Sequence, residues 1–207
     1  MNEITQISPQ IKDKARCNIY IDGAFYCGMA LETVIKNRLK VGQIVDKQRL
    51  SQMQLESEKA TALDKALTHV SATRKTEKQV RDFLKSKGYL QDVCDHVIEK
   101  MRGYEFLNDG EYAEAYVDFS AKKKGARLIK MELKSKGVGE REIDSAMQSL
   151  SEEAQTQTAK SILIKYMKNK EITKENLQKA FRYLLSKGFE TEVIKSALRE
   201  FGEIEEE

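Results

Sequence analysis

Between Phe119 and Gly137, seven cationic side chains (Lys122, Lys123, Lys124, Arg127, Lys130, Lys134 and Lys136) stand against one carboxylate, Glu132. The local surplus is twice the formal net charge of the whole chain, +3. Lysines hold phosphate oxygens as point charges and lack the planar fork that reads base edges. The chemistry expected is therefore sequence-independent, salt-sensitive binding to a nucleic-acid backbone. Few of these cations have a carboxylate one helical turn away to neutralise them. Arg74, Lys75, Lys78 and Arg81 form a second, weaker group, whereas Lys85 and Lys87 read as members of a solvated helix face. Tyr112, Tyr116 and Phe119 carry rings able to stack on bases. Their spacing with Ala113, Ala115 and Val117 nevertheless favours the helix core, with one tyrosine hydroxyl reaching the surface.

No other constellation of residues suggests chemistry. There is no glycine-rich phosphate loop, no helix with two histidines at metal-ligand spacing and no nucleophile beside a base, so neither catalysis nor a cofactor is expected. The carboxylates alternate with lysines, as solvated helix faces do. Cys17, Cys27 and Cys94 are odd in number and have no C-x-x-C spacing, which argues against a disulfide framework or a zinc site. His69 and His96 are far apart and read as structural or surface residues. The first sixteen residues lack the apolar centre of a signal peptide, and no run approaches the ~18 apolar residues of a membrane span. A monomer in the cytoplasm is expected.

The elements that must position the cations are helical. One proline, no tryptophan and 33% charged residues suit amphipathic helices with broad polar faces. Asn108 and Asp109 mark a helix start. Gly125 interrupts the pattern after three lysines, a second helix resumes through Ile129 and Leu133, and Gly137 closes it. Residues 15–28 differ: Cys17, Ile19 and Ile21 alternate with polar neighbours, Asp22-Gly23 is a hairpin turn and Phe25-Tyr26-Cys27 a return strand. A strand near Ile4 to Ile7 joins them. A helix from Leu31 to Leu39, apolar at Val34, Ile35 and Leu39 and ended by Gly42, should cover this hairpin, which alone is marginal in water. A longer helix runs from Asp46 into the sixties through Leu50, Met53, Leu63, Ala66, Leu67 and Val70.

The chain then repeats itself. Leu84-Lys-Ser-Lys-Gly-Tyr89, Leu133-Lys-Ser-Lys-Gly-Val138 and Leu184-Leu-Ser-Lys-Gly-Phe189 place glycines 49 and 51 residues apart. After each glycine comes one helical stripe at the same offsets: Cys94, Val97, Ile98 and Met101; Ile143, Ala146, Met147 and Leu150; Ile194, Ala197, Leu198 and Phe201. Thr76 and Gln79 fit a capping box, and Thr173 opens the corresponding helix of the last copy. The expected fold is mostly α: tandem three-helix repeats in an elongated, curved array with a small N-terminal β-hairpin and helix module. The expected segments are 1–45 (N-terminal module), 46–105, 106–150 and 151–202 (the three repeats) and 203–207 (an acidic tail). Units of ~50 residues are near the lower limit of independent stability, so neighbours should share interfaces.

The run Phe-Leu-Asn-Asp-Gly-Glu-Tyr-Ala-Glu-Ala-Tyr-Val at 106–117, Gly125, and Ile129 through Glu132-Leu133 to Lys136-Gly137-Val138 resemble the RecX family of recombination regulators. So do the tandem Lys-Gly-aromatic units and the N-terminal extension, which is similar to the longer branch found in Gram-positive bacteria. The resemblance covers residues 15–201. It implies a non-enzymatic modulator that binds the RecA–single-stranded-DNA filament in its groove and limits filament growth, strand exchange and ATP hydrolysis. Asp118 stands where the family usually has arginine, which shifts the basic contact to Lys122, Lys123, Lys124 and Arg127. Ala126 stands where proline is frequent. Two other readings stay open: a helical module that grips single-stranded or duplex DNA without RecA, and a purely structural scaffold.

Overall fold

A computed structural model of the protein describes residues 2–201. The acidic tail expected over 203–207 lies outside them. The described residues are mainly helical and divide into two compact units, Met1–Asn108 and Asp109–Glu207.

In the first unit, β1 (Ile4–Pro9), β2 (Arg16–Ile21) and β3 (Ala24–Ala30) form an antiparallel sheet in that order. Asp22 and Gly23 join β2 to β3, both with positive φ, 51° and 84°. A two-residue hairpin loop of matching twist requires this, and Asp and Gly tolerate it. One face buries Cys17, Ile19 and Ile21 of β2 with Cys27 and Met29 of β3. It is covered by α1 (Leu31–Lys36) and the start of α2 (Lys47–Ser71), through Val34 and Leu50. Helix α1 is shorter than its apolar spacing suggests. Arg38 turns the chain with φ 51°, so Leu39 enters the core from a loop and Ile35 is left exposed. Gly42, φ 83°, serves a later turn and does not end the helix.

Asp46 caps α2, its carboxylate accepting from the Gln48 N–H at 3.0 Å. This 25-residue helix has no single apolar stripe because its two halves face different neighbours. Leu50, Gln54 and Glu58 meet the sheet, whereas Ala62 and Ala66 meet α3 (Glu77–Ser86) and α4 (Gln91–Gly103). The small alanines let α4 come close enough to bury Val93, Cys94, Val97, Ile98 and Met101. The capping box at the start of α3 is formed in both directions, between Thr76 and Gln79.

The second unit holds two further three-helix sets. The first is α5 (Asp109–Ser120), α6 (Ala126–Ser135) and α7 (Glu140–Met147), around Val117, Ile129, Leu133 and Ile143. The second is α8 (Glu152–Met167), α9 (Lys174–Ser186) and α10 (Thr191–Leu198), around Leu163, Leu184, Phe189 and Ile194. Thr173 caps α9 as its sequence suggests, and Ser151 caps α8. Gly88, Gly137 and Gly188 all have φ between 83° and 87° and close the middle helix of their sets.

Two of these corners are clasped by the preceding element within the same unit. The Gly28 N–H of β3 donates to the Gly88 carbonyl at 2.9 Å, and Gln54 of α2 donates to both the Gly28 and Gly88 carbonyls while accepting from the Leu90 N–H. In the second unit, the Gly125 N–H donates to the Lys187 carbonyl and the Arg127 N–H to that of Gly188, while Gln155 accepts from the Ala126 N–H. Gln54 and Gln155 thus hold equivalent places on the first helix of their sets, but only Gln54 bridges, for the Gln155 amide Nε2 finds no partner among the described residues. Gly125 has φ −80°, so conformational freedom is not what it supplies. A Cβ there would lie 2.2 Å from backbone atoms of Gly188 and Phe189. Gly125→Ala is expected to cost about 2–3 kcal/mol through overpacking and weakened hydrogen bonds. Gly103→Ala, where a Cβ meets nothing within 4 Å, should be neutral or slightly stabilising. Urea denaturation of both variants checks this, and equal midpoints would contradict the close approach.

Candidate nucleic-acid interface

The turn between α5 and α6 presents the lysine run, and backbone hydrogen bonds fix it. Ala121 donates to the Val117 carbonyl, and Lys123 and Lys124 both donate to that of Ser120. Lys122 and Lys123 are exposed, as is Arg127 in the first turn of α6. None of the three has a carboxylate within 4 Å among the described residues. Phe119, expected in the helix core, is instead 69% exposed, and the Lys123 ammonium lies 5.8 Å from its ring. It falls in the last turn of α5, while the buried stripe runs through Ala113, Val117 and Ser120. Tyr112 and Tyr116 are half-buried and stacked with ring centroids 6.0 Å apart.

The other cations of the run are committed to partners. Lys124 pairs with Glu132 at 2.6 Å, and the Tyr116 hydroxyl donates to the same carboxylate at 2.7 Å. Burial works against ionisation of Glu132, yet these two hydrogen bonds hold its carboxyl below the ordinary range and raise the Lys124 ammonium. Lys130 pairs with Asp144 and Lys134 with Glu140, each at 2.7 Å across to α7. The Lys136 ammonium sits 5.4 Å from the Tyr116 ring. The expected deficit of carboxylates at helical spacing is real, but the facing helix α7 corrects it for Lys130 and Lys134, and Glu132 of α6 does so for Lys124.

In the first unit, the second group is weaker still. Lys78 pairs with Asp82 at 3.0 Å and Arg81 with Asp95 at 2.5 Å, while Lys75 donates to the Thr73 hydroxyl. Burial opposes ionisation of Asp95, but Arg81 and Gln91 hold its carboxyl below the usual value. Arg74 is exposed, and among the described residues it has no such partner. Arg81–Asp95 and Lys130–Asp144 sit at identical offsets, seven residues before and after Gly88 and Gly137. In the third set those positions are Phe181 and Lys195.

The structure adds an arrangement that the sequence reading passed over. The lysine before each glycine lies over a ring: Lys87 over Phe83 at 5.3 Å, Lys136 over Tyr116 at 5.4 Å and Lys187 over Tyr183 at 5.3 Å. Phe83 stacks on His69 of α2, and Tyr183 on Tyr166 of α8, with centroids 4.0 and 4.6 Å apart. In the middle set Glu132 stands where Phe83 and Tyr183 do, five residues before the glycine, and the ring under the lysine is Tyr116 of α5. The signal was present as an aromatic four residues before the lysine in two of the three copies. Such cation–ring pairs offer a flat apolar surface beside a positive charge, which suits an unstacked strand.

Chemistry of other kinds finds little here. All three cysteines are buried and free, and burial pushes the thiols of Cys27 and Cys94 up to about 12 and about 11, so they are inert nucleophiles at neutral pH. Among the described residues no three His, Cys, Asp or Glu side chains converge as metal ligands, and no helix is long and apolar enough to cross a membrane.

Comparison with known proteins finds an N-terminal domain and three three-helix domains in order along the chain. Residues 2–46 match the regulatory protein RecX N-terminal domain, and residues 62–101, 108–147 and 153–198 match the first, second and third three-helix domains of RecX. The chain is 34% identical over 203 residues to the regulatory protein RecX of Clostridium perfringens strain 13, covering 96% of each. It is 34% identical over 199 residues to that of Bacillus subtilis strain 168, covering 94% of this chain and 75% of the relative. A crystal structure of regulatory protein RecX superposes with a TM-score of 0.63 at 28% identity, over 93% of this chain and 97% of that one. RecX from Lactobacillus salivarius gives 0.65 at 25% identity, over 71% and 98%. With its sheet, its three helix sets and its Lys-Gly corners all matched, this chain belongs to the RecX family of regulatory proteins.

Proposed function

We propose that the chain regulates a RecA recombinase in the cytoplasm, without catalysis, by docking on the RecA–single-stranded-DNA filament and limiting its extension. The observation that carries this reading is the exposed Phe119 at the end of α5 beside Lys122, Lys123 and Arg127, cations that no carboxylate neutralises among the described residues. Such a surface is drawn to an acidic polymer. Weak contacts from successive three-helix sets on one chain add through effective concentration, so no single set needs high affinity. The same cations beside rings also favour a second reading, direct grip on single-stranded DNA without the recombinase.

Binding to bare single-stranded DNA and to RecA-coated DNA, compared in identical salt, separates the two. The proposal expects at least about tenfold tighter binding to the coated strand, a difference of ~1.4 kcal/mol, together with a fall in DNA-dependent ATP hydrolysis as the chain is added. Equal affinity for both forms, with hydrolysis unchanged, would favour the second reading. Absence of salt-dependent binding to either would leave only a scaffold.

A further inference from the structure

A cleft of about 700 Å³ lies in the first unit between the β1–β2 loop, α2 and the end of α3. That volume is within the range of small-ligand sites, ~300–1,000 Å³. Four cations line it, Lys12, Arg16, Lys65 and Lys87, against two carboxylates, Asp13 and Asp64. Arg16 is 5% exposed, and its Nε–H has no hydrogen-bond partner. A buried guanidinium donor left unmatched at the wall of a cleft is uncommon and calls for an explanation. The Arg16 guanidinium and the Lys65 ammonium converge on the Tyr89 ring, at 4.6 and 5.9 Å from its centroid. Asp13 reaches Lys65 only at 3.7 Å. The stacked His69 and Phe83 rings form another wall.

We propose that this cleft binds a nucleotide, its phosphate among Arg16, Lys65 and Lys87 and its base against the His69–Phe83 pair. The local electrostatics agree. Burial and then the Arg16 charge lower the Lys65 ammonium, Asp13 pulls the other way, and Lys87 adds a smaller repulsion. Burial, Lys75 and Lys87 likewise hold the His69 imidazole below its ordinary value. A phosphate entering here relieves repulsion on Lys65 and Lys87, while Arg16, already ion-paired with Glu58, orders the site without adding net charge. The lysine run of the second unit takes no part, and the site requires no recombinase. The phosphate has two sources, a free mononucleotide or a DNA strand, and the recognition chemistry is the same for both.

The test uses the full chain alone, by calorimetric titration at fixed ionic strength. Inorganic phosphate should bind saturably, and adenosine monophosphate about tenfold tighter because the ring stacks. The variant Lys65→Gln/Lys87→Gln, which leaves buried Arg16 in place, should lose about tenfold or more toward both probes. Lys36→Gln/Lys40→Gln, exposed and outside both the cleft and the lysine run, should leave them unchanged. A 12-residue oligodeoxynucleotide that displaces adenosine monophosphate would support the strand as source, and failure to displace it would support the free nucleotide. Non-saturable binding, or equal binding by the two variants, would overturn the proposal. Folding of each variant is checked by its far-ultraviolet circular dichroism, and a mixed result is resolved by amide shifts at Lys65, His69 and Lys87, which must move on titration if the site is real.

Discussion

Glu58→Ala should lower the stability of the first unit by about 3–5 kcal/mol, because it leaves a buried charge without its partner. Glu58 is 2% exposed, and one carboxylate oxygen is ion-paired with Arg16 while the other accepts from the Ala30 N–H at 2.8 Å. The pair ties β2 to the middle of α2. Arg16 carries the link onward, donating to the Tyr89 hydroxyl at 3.4 Å and the Lys87 carbonyl at 3.5 Å and lying over the Tyr89 ring. Alanine removes the counter-charge but keeps the guanidinium among these groups, where water cannot replace what was lost. Replacing both partners with apolar residues of similar volume, Arg16→Met with Glu58→Leu, should by the same reasoning cost no more than about 1–2 kcal/mol. Urea denaturation followed by circular dichroism measures both. A Glu58→Ala cost below about 1 kcal/mol would mean that the pair is effectively solvated.

That ion pair shows where sequence reading stops. Asp22-Gly23, the Thr76–Gln79 box, Thr173 and the Lys-Gly corners are legible because each feature lies within a few residues and has its own backbone requirement. Arg16 and Glu58 are 42 residues apart, and on the sequence each is another charged residue of a polar helix or strand. Gln54 and Gln155 are hidden for the same reason, since a glutamine that satisfies a neighbouring corner is indistinguishable in one dimension from a solvated one. The lysine run is visible on the sequence as a concentration of charge, but helical spacing does not find the groups that neutralise it. The carboxylates lie instead at eight, fourteen and six residues from Lys124, Lys130 and Lys134, two of them on a facing helix. Phe119 followed the stripe of its neighbours on paper and left it in space because α5 ends one residue later.

The division between committed and uncommitted cations yields the sharpest functional expectation. If Lys122, Lys123 and Arg127 are the ones that meet phosphate, neutralising all three to glutamine should flatten the log–log salt dependence of single-strand or filament binding by about two units, at ~0.7 per contact. At 0.15 M salt that corresponds to roughly fiftyfold weaker binding. Lys130→Gln/Lys134→Gln removes as much formal charge per residue, but those ammonium groups already face Asp144 and Glu140, so the affinity should change by less than about threefold. Lys124 is kept out of both variants because its loss would also free Glu132 and the Tyr116 hydroxyl. Helicity should be unchanged in either variant, since none of the five side chains is buried. Binding isotherms at four salt concentrations decide between the sets. Equal losses in the two variants would show that the surface acts through its total charge, and a larger loss in the paired set would move the contact from the turn to the α6–α7 face.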